Sequence, residues 1–484
     1  MDSPDPRGEP IRPQLGLWDT VSIIIGIVIG AGIYETVPLV FKNVPNGWSA
    51  VGVWVVGGLL SLIGALCYAE LASAYPRSGG DYVYLTRAFG PWMGFLFGWA
   101  QLVVIRTGNI GMMGYVFGDY AVDLFGLPEQ YSLACAAAAV TVLSLLNLLG
   151  VTFGKRTQNL LTLAKVLGLG GILLAGFLAP RVGPAALSEQ AARQVGLGLA
   201  MVFVLYTFGG WNDAALVAAE QRHGRRNITL SLIIGTSAIT LLYVLVNTAY
   251  LFGLGFEGVR SSKAVAAEVL RQLPGVSWVP SQIGAHASRI MSLLVMVSAL
   301  GAINGMVFTG SRVYAALGNE YRLFAFLGRW NPRLGSPFWS IVTQWLLTVG
   351  LILAVGSTFG REQINVGLSK VGMEKVQWEG HGGFDTLLKC TAPSFWLFFL
   401  LTGLSLFVLR ERDPDIERPF KVPFYPLLPL IFCDTCAYML YSATAYAKEL
   451  VLPVMVLLHI GVVVYWFSRR ESHWQGSSNH RALP

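Results

Sequence analysis

Twelve long apolar runs, separated by short polar loops, constrain this chain more than any other feature. A helix of about 20 apolar residues crosses the hydrocarbon core of a bilayer. Open strands cannot cross it, because their backbone groups would lack hydrogen-bond partners, so each run is predicted to be a membrane-spanning helix. The charged fraction of 13% agrees, since soluble proteins contain about 25% charged residues. The approximate limits of the runs are 17–41, 49–74, 91–121, 130–150, 158–179, 196–219, 228–253, 287–317, 338–357, 385–409, 424–445 and 449–468.

The loops between the runs carry lysine and arginine unevenly. If residues 1–16 are cytoplasmic, the loops on that side hold more of these residues than the loops on the other side, as the positive-inside rule requires. We therefore expect a multi-pass protein of the cell membrane, with a cytoplasmic N-tail, 1–16, and a cytoplasmic C-tail, 469–484. The net charge of +7 lies in short loops rather than in one patch, which argues against nucleic acid as a partner.

Glycine interrupts two of the runs near their middle, at Gly26–Tyr34 and at Tyr206–Asn212. Glycine is about 1 kcal/mol worse than alanine inside a helix, and a broken helix in lipid is tolerated only where protein or a water-filled cavity receives its backbone groups. Gly26 and Gly30 also form a GxxxG pattern, which is typical of close helix packing. Taken alone, the first run therefore fits either a binding site or a packing device.

The two interrupted runs are the first and the sixth. Corresponding glycine breaks in two five-helix halves indicate a transporter built from an inverted repeat, with its site at the middle of the membrane. Because five is odd, the second half enters from the opposite side, as inversion requires. The predicted organisation is a first repeat over 17–179, a second repeat over 196–409 and two further helices over 424–468.

The two breaks together offer the groups that bind an α-amino acid. Free N–H groups at the start of the half-helix near Gly32 suit a carboxylate. Carbonyl groups near Val28 and near Tyr206 suit an ammonium. The candidate substrate-binding residues are Val28, Ile29, Gly30, Ala31, Gly32, Ile33, Tyr206, Thr207, Phe208, Gly209, Trp211 and Asn212.

Lys165 lies within the fifth apolar run, where an ionisable side chain is a functional hypothesis by default. It could exchange a proton, or its ammonium could stand where a coupling cation would lie. The alternative is a side chain that snorkels to the nearby cytoplasmic edge. Arg106, deep in the third run, is expected to pair with a carboxylate or to cap backbone carbonyls.

For the acidic residues near the breaks and span ends, roles outside substrate binding are favoured. Glu35 and Asp213 lie one turn beyond the breaks. Either could meet a cationic side chain, but exposure in the outer vestibule is expected for both. Glu70 and Glu220 are expected to make gate or loop contacts. The sequence contains no HExxH, P-loop, nucleophile elbow or strand-associated GxGxxG motif, so we expect no enzymatic activity, no metal site and no cofactor.

Four motifs follow one another between about residues 15 and 445: Gly30–Tyr34, the pair Tyr68–Leu71 and Pro76–Tyr84, Phe208–Asn212, and Arg418–Pro423. In this order they resemble the motifs of the amino acid–polyamine–organocation permeases. Gly30–Tyr34 is similar to the G-S-G-I-F of that family's first helix. Tyr68–Leu71 and Pro76–Tyr84 resemble its Y-A-E-L and P-x-S-G-G-D-Y-x-Y. Phe208–Asn212 and Arg418–Pro423 resemble the Y-G-G-W-N and R-P-x-K-V-P of the L-type amino acid transporter branch.

The resemblance implies an all-α, leucine-transporter-like fold of 12 transmembrane helices, in which the five-plus-five inverted repeat is followed by two C-terminal helices. It also implies amino acid transport by alternating access. The substrate carboxylate would meet the Ala31–Ile33 backbone, and the amino group would meet Val28, Tyr206 and Gly209. Lys165 matches the fifth-helix lysine that replaces a sodium ion in sodium-independent relatives.

The sequence departs from the family pattern at four places. Ala31 replaces the usual serine, and Tyr206 stands where a phenylalanine gate is common. The loop 123–130 has no cysteine, so, as in bacterial-type members, no disulfide-linked heavy subunit is expected. The outer segment 358–384 is longer than expected and is predicted to be a loop or short helix at the vestibule.

The preferred function is therefore sodium-independent secondary transport of amino acids, with neutral substrates favoured, either by proton-coupled symport or by exchange. One alternative is a carrier of cationic amino acids or polyamines, which would want carboxylates in the pocket. An alternative of another class is a membrane amino acid sensor or channel. The expected partners are an amino acid substrate, possible coupled protons and the lipid bilayer.

Overall fold

The computed structural model describes residues 13–180, 196–222, 224–273, 281–331, 333–370, 372–378 and 382–469. The predicted cytoplasmic tails lie mostly outside these residues, as does 379–381 of the outer segment. Within the described ranges the regular elements are helices, and the only β-type pairings are the isolated bridges Leu15–Gln221 and Asn331–Ser336. The predicted all-α class is therefore confirmed for the described chain.

The described residues form twenty α-helices, together with a π-helical turn at Gln101–Ile105. In chain order they are α1 Leu17–Val28, α2 Gly32–Glu35, α3 Val37–Lys42, α4 Gly47–Ala74, α5 Asp81–Phe89, α6 Pro91–Ala100, α7 Arg106–Phe125, α8 Ser132–Leu148, α9 Val151–Leu178, α10 Leu197–Thr207, α11 Asp213–Leu216, α12 Gly224–Ser261, α13 Val265–Gln272, α14 Ser281–Ala285, α15 Ala287–Glu320, α16 Phe338–Gly356, α17 Thr358–Lys370, α18 Gly383–Arg412, α19 Leu427–Ala447 and α20 Val451–Arg469.

Nine helices in the described part of the chain are long and apolar enough to cross a membrane. They contain α4, α8, α9, α12, α15, α16, α18, α19 and α20. The other three predicted spans are helical but divided. The first consists of α1 to α3, the third of α6 and α7 on either side of the π-turn, and the sixth of α10 and α11. The count of twelve spans stays a prediction.

The helix α9 shows how the bundle is arranged in lipid. Its polar residues Gln158, Thr162 and Lys165 are buried, whereas Leu160 and Leu167 are 68% and 66% exposed. Residues three and four apart share one helix face, so the polar face turns inward and the leucine face turns outward. In a bilayer the outer surface contacts lipid tails, which favours this inverted distribution.

The centre of the bundle is the fully buried middle of α15, which packs against α1, α7, α8, α9 and α16. On one side of it, α12 lies along α4, α1 and α9, and on the other α18 lies along α7 and α19. The interrupted spans α1–α2 and α10–α11 fit between these helices. This places both breaks inside protein rather than in lipid.

The beginning of the chain is pinned to the end of the sixth span. The N–H groups of Gln14 and Leu15 both donate to the Glu220 carbonyl at 2.9 Å, and the Arg222 N–H donates to the Leu15 carbonyl at 2.9 Å. The ammonium of Lys155 also donates to the Gln14 carbonyl at 3.0 Å. Residues 13–16, the start of α9 and the segment after α11 therefore lie on the same face of the bundle.

The outer segment contains a longer helix than expected. It forms α17, and the following stretch 372–378 returns along that helix. Asn365 on α17 fixes the return, because its side chain accepts from the Val376 N–H at 2.9 Å and donates to the Val376 carbonyl at 3.3 Å. The Arg361 guanidinium lies 5.2 Å from the centre of the Trp378 ring. The described part of the segment is thus a folded hairpin immediately before α18.

Candidate functional site

The first break separates α1 from α2. The Gly30 N–H turns back to the Val28 carbonyl at 2.8 Å instead of continuing the helical ladder. Among the described residues, no hydrogen bond engages the N–H groups of Ala31, Gly32 and Ile33. These N–H groups begin the next half-helix, where backbone donors favour an anion.

The second break separates α10 from α11. The Gly209 N–H donates to the Tyr206 carbonyl at 3.1 Å, and Gly210 has φ = 112°. That conformation favours glycine, and a Cβ added at Gly210 would lie 2.6 Å from the Ile27 Cγ2. The second break therefore needs glycine both for its backbone angle and for its close approach to α1.

The two breaks touch each other. The hydroxyls of Thr36 and Thr207 lie 3.0 Å apart, and a Cβ added at Gly32 would lie 2.9 Å from the Thr207 Cγ2. Between the breaks and the helices α7, α15 and α18 lies a cavity of about 120 Å³. Its lining residues are Ile27, Val28, Gly30, Ala31, Gly32, Gln101, Ile105, Arg106, Asn109, Met112, Met113, Tyr206, Thr207, Gly209, Gly210, Asn212, Asp213, Ala302, Met306, Thr391, Ala392, Phe395 and Trp396.

Eight of the twelve residues predicted to bind substrate line this cavity. They are Val28, Gly30, Ala31, Gly32, Tyr206, Thr207, Gly209 and Asn212. The other four, Ile29, Ile33, Phe208 and Trp211, do not line it. Phe208 packs edge-on against Tyr243, with ring centroids 5.1 Å apart, and Trp211 packs edge-on against Tyr68 at 5.1 Å. Both rings therefore pack in the bundle core rather than against the cavity.

The hydrogen bonds of the Val28 carbonyl argue against its predicted contact with the substrate amino group. It already accepts from the Gly30 N–H at 2.8 Å and from the Tyr243 hydroxyl at 3.0 Å. A carbonyl oxygen has two lone pairs, and both are occupied here. Any ammonium in the cavity would have to use other acceptors.

Lys165 points into the protein rather than toward a membrane edge. Its ammonium donates to the Gly26 carbonyl at 2.7 Å, to the Ile29 carbonyl at 2.8 Å and to the Ser298 carbonyl at 3.0 Å. The side chain is 0% exposed, so the alternative of snorkelling is wrong for this structure. The lysine therefore ties α9 to the first break and to α15.

Arg106 and Asp213 form a buried ion pair at the cavity wall. The two terminal guanidinium nitrogens donate to the two carboxylate oxygens, the Nη2–Oδ1 distance being 3.0 Å. The Thr309 hydroxyl donates to the Asp213 Oδ2 at 2.7 Å. Of the two roles expected for Arg106, pairing with a carboxylate is the one found. The expected exposure of Asp213 is wrong, because α11 turns its first residue toward α7 and α15; Glu35 is exposed, as expected.

Two further buried carboxylates hold helix ends together, in keeping with the predicted gate or loop contacts. Glu70 accepts from the Arg410 guanidinium at 2.8 and 2.6 Å and from the Val422 N–H at 2.6 Å. Glu220 accepts from the Arg312 guanidinium at 2.7 and 3.0 Å. Both carboxylates are almost fully buried, and neither lines the cavity.

Sequence reasoning missed the contribution of the third, eighth and tenth spans to the cavity. Gln101 reaches it from the π-turn and Asn109 from α7. The π-turn shifts the register of the span relative to a regular 3.6-residue period. Thr391 and Trp396 reach it from α18, on either side of Pro393, which lies inside that helix. That proline was the one available signal for the tenth span.

A bundle of membrane-spanning helices that encloses a central cavity between two mid-span breaks is the architecture of a membrane transporter. Comparison with known proteins agrees with this class. A family described as "Amino acid permease" matches residues 15–473. The chain belongs to the amino acid permease family, which confirms the resemblance seen in the four motifs, and it is a multi-pass membrane transporter rather than an enzyme.

Similar proteins span almost the same length. The b(0,+)-type amino acid transporter 1 of Homo sapiens is 30% identical over 461 residues, covering 91% of this chain and 87% of that protein. The cystine/glutamate transporter of Homo sapiens is 29% identical, covering 91% and 82%. The large neutral amino acids transporter small subunit 2 of Oryctolagus cuniculus is 28% identical, covering 97% and 82%. All three names describe amino acid transporters.

Proposed function

We propose that this protein is a sodium-independent secondary transporter of neutral amino acids that works by alternating access, through proton-coupled symport or exchange. The observation that carries the proposal is the cavity lined by both broken helices, at one of which three N–H groups have no hydrogen-bond partner among the described residues. The names of the relatives support amino acids as the substrate class. The fold proposed with it is the five-plus-five inverted repeat with two additional helices. The protein is proposed to lie in the cell membrane with both termini on the cytoplasmic side.

The backbone donors of Ala31, Gly32 and Ile33 are proposed to bind the substrate carboxylate. Three adjacent N–H groups at a helix start, reinforced by the helix dipole, stabilise an anion without a cationic side chain. Carbonyls of the second break, from Tyr206 to Gly209, are proposed to receive the ammonium. This division needs no charged side chain for the part that all α-amino acids share.

Lys165 is proposed as the coupling group. Three carbonyls converge on its ammonium, an arrangement that would also suit a small cation. The lysine supplies the positive charge itself, which supports independence from sodium. Loss of its proton would free the carbonyls at the first break and so link protonation to the position of α1.

Two rival functions fit the cavity less well. A carrier for cationic amino acids or polyamines would need a free carboxylate, and the described lining offers only Asp213, which is paired with Arg106. A channel would have no use for a binding cavity divided between two broken helices, whereas a sensor would bind an amino acid there without transporting it. A disulfide-linked heavy subunit is not proposed, because the loop 123–130 lacks cysteine.

The test is uptake and counterflow of labelled amino acids in proteoliposomes, with wild type and Lys165→Ala. Each is assayed with and without a proton gradient and with and without sodium. We expect wild type to take up neutral amino acids independently of sodium and the variant to lose its response to the gradient. Absence of any amino acid uptake or exchange by wild type would overturn the proposal, and a channel would show no trans-stimulation.

A further inference from the structure

The cavity contains one positive and one negative charge. Of the described residues that line it, only Arg106 and Asp213 are charged. They are 5% and 3% exposed, so solvent screens neither of them well. The formal charge of the cavity wall is therefore zero while both are present. Removing one of them would leave a single charge facing the substrate.

Asp213 occupies the hydrogen-bonding face of Arg106. Both terminal nitrogens of the guanidinium donate to its two oxygens, which is the bidentate geometry that a ligand carboxylate would also use. The Thr309 hydroxyl holds the Oδ2 atom at 2.7 Å. The aspartate thus fills, from within the protein, the position that an acidic substrate side chain would take on this arginine.

The rest of the wall suits an uncharged side chain. The Gln101 Oε1 and Asn212 Oδ1 atoms are buried and have no hydrogen-bond partner among the described residues. Both residues line the cavity together with Met112, Met306 and Trp396. Two amide groups beside an apolar surface suit a neutral hydrogen-bonding or apolar group, and among the described lining residues Arg106 is the only cation that could compensate an anion.

We propose that Asp213 is a specificity-determining residue that withholds Arg106 from the substrate and so restricts the cavity to neutral side chains. The inference rests on the proposed function and specifies how that site discriminates among amino acids. Without the Asp213 carboxylate, Arg106 would receive the side chain of aspartate or glutamate. Without the Arg106 guanidinium, Asp213 would receive the side chain of lysine or arginine as substrate.

The test compares Asp213→Asn, Arg106→Gln and the double variant, measured by competition of unlabelled amino acids against labelled neutral substrate in proteoliposomes. Asp213→Asn should raise the preference for acidic over neutral amino acids at least about tenfold, since one bidentate charge pair is exchanged for another. Arg106→Gln should raise the preference for cationic amino acids. The double variant should favour neither, because its cavity is again uncharged.

Binding is measured in parallel, because a variant that cannot complete the transport cycle can still bind. Thermal stabilisation of purified protein by glutamate should be larger for Asp213→Asn than for wild type or the double variant. Glu417→Gln is the matched control, since it neutralises one partner of an exposed pair with Arg225, remote from the cavity. It should leave all preferences unchanged.

Three outcomes would overturn the inference. The acidic preference of Asp213→Asn could stay within about twofold of wild type in both assays. Both single variants could shift the preference in the same direction. Both could lose neutral exchange and glutamate stabilisation while the double variant regains neutral exchange, which would make the pair a purely structural link. If wild type itself exchanges no amino acid, the proposed function fails first; if wild type exchanges neutral ones and the preferences do not switch, only this inference fails.

Discussion

Replacing Lys165 by methionine should destabilise the first break, by an amount that follows from the hydrogen bonds of the lysine ammonium. The carbonyls of Gly26 and Ile29 lie at the break, and within the described chain the lysine ammonium is their only hydrogen-bond partner. A buried polar group left without a partner costs about 1–3 kcal/mol, so the two carbonyls together cost about 4 kcal/mol. The methionine variant no longer buries an ammonium, which offsets part of that cost. We therefore expect the free energy of unfolding to fall by about 2–3 kcal/mol.

The assay is chemical unfolding of the purified protein in mixed micelles, followed by tryptophan fluorescence. Lys421→Met is the matched control, because Lys421 is exposed in the loop after α18, and it should leave the free energy of unfolding unchanged. Lys165→Arg should also be destabilising, since the fully buried site leaves no room for a guanidinium. If Lys165→Met unfolds at the same denaturant concentration as wild type and the control, the ammonium does not hold the break and this reasoning is refuted.

Two further substitutions test other contacts. Gly301→Ala would place a methyl group 2.6 Å from the Lys165 Nζ, so it should lower both the stability and the gradient-dependent uptake. Gly170→Ala is the control, because an added Cβ there meets nothing within 4 Å, and it should change the stability by no more than the ~1 kcal/mol that alanine gains in a helix. Equal thermal denaturation of the two variants would contradict this prediction. Hydrogen bonding from the Arg87 guanidinium lowers the pKa of Asp413 below its ordinary value of 3.8. This stabilisation is therefore present above about pH 4 and is lost as the pH falls through the lowered pKa, so Asp413→Asn should cost up to ~1 kcal/mol at pH 7 and nothing near pH 2, as unfolding at the two pH values would reveal.

Much of the fold could be predicted because the relevant constraint is local. Each long apolar run must satisfy its own backbone hydrogen bonds in lipid, so hydropathy alone located the regions that became α4, α9, α15 and the other long helices. The glycines marked the positions of both breaks because their effect on a helix is also local. The π-turn at Gln101–Ile105 was not predictable, because no local residue pattern distinguishes it from regular α-helix.

The candidate site was predicted in part. Backbone groups of the breaks lie at the cavity, because a helix can break in the membrane only where protein or a water-filled cavity satisfies the freed backbone groups. The side chains were less predictable: Phe208 and Trp211 are adjacent to the second break in sequence, yet they point away from the cavity. Their direction depends on which helices the second break packs against, and the aromatic partners Tyr243 and Tyr68 lie on α12 and α4.

The sequence by itself predicted the long apolar helices and the positions of two breaks. It also predicted that Lys165 and Arg106 either find partners inside the protein or reach a membrane edge. Only the tertiary structure decided which partners they have. Lys165 meets carbonyls 133 to 139 residues away along the chain, and Arg106 meets an aspartate 107 residues away. A charge buried in lipid must find a counter-charge or a set of dipoles, but which one it finds depends on how the helices pack, and helix packing is a property of the whole chain.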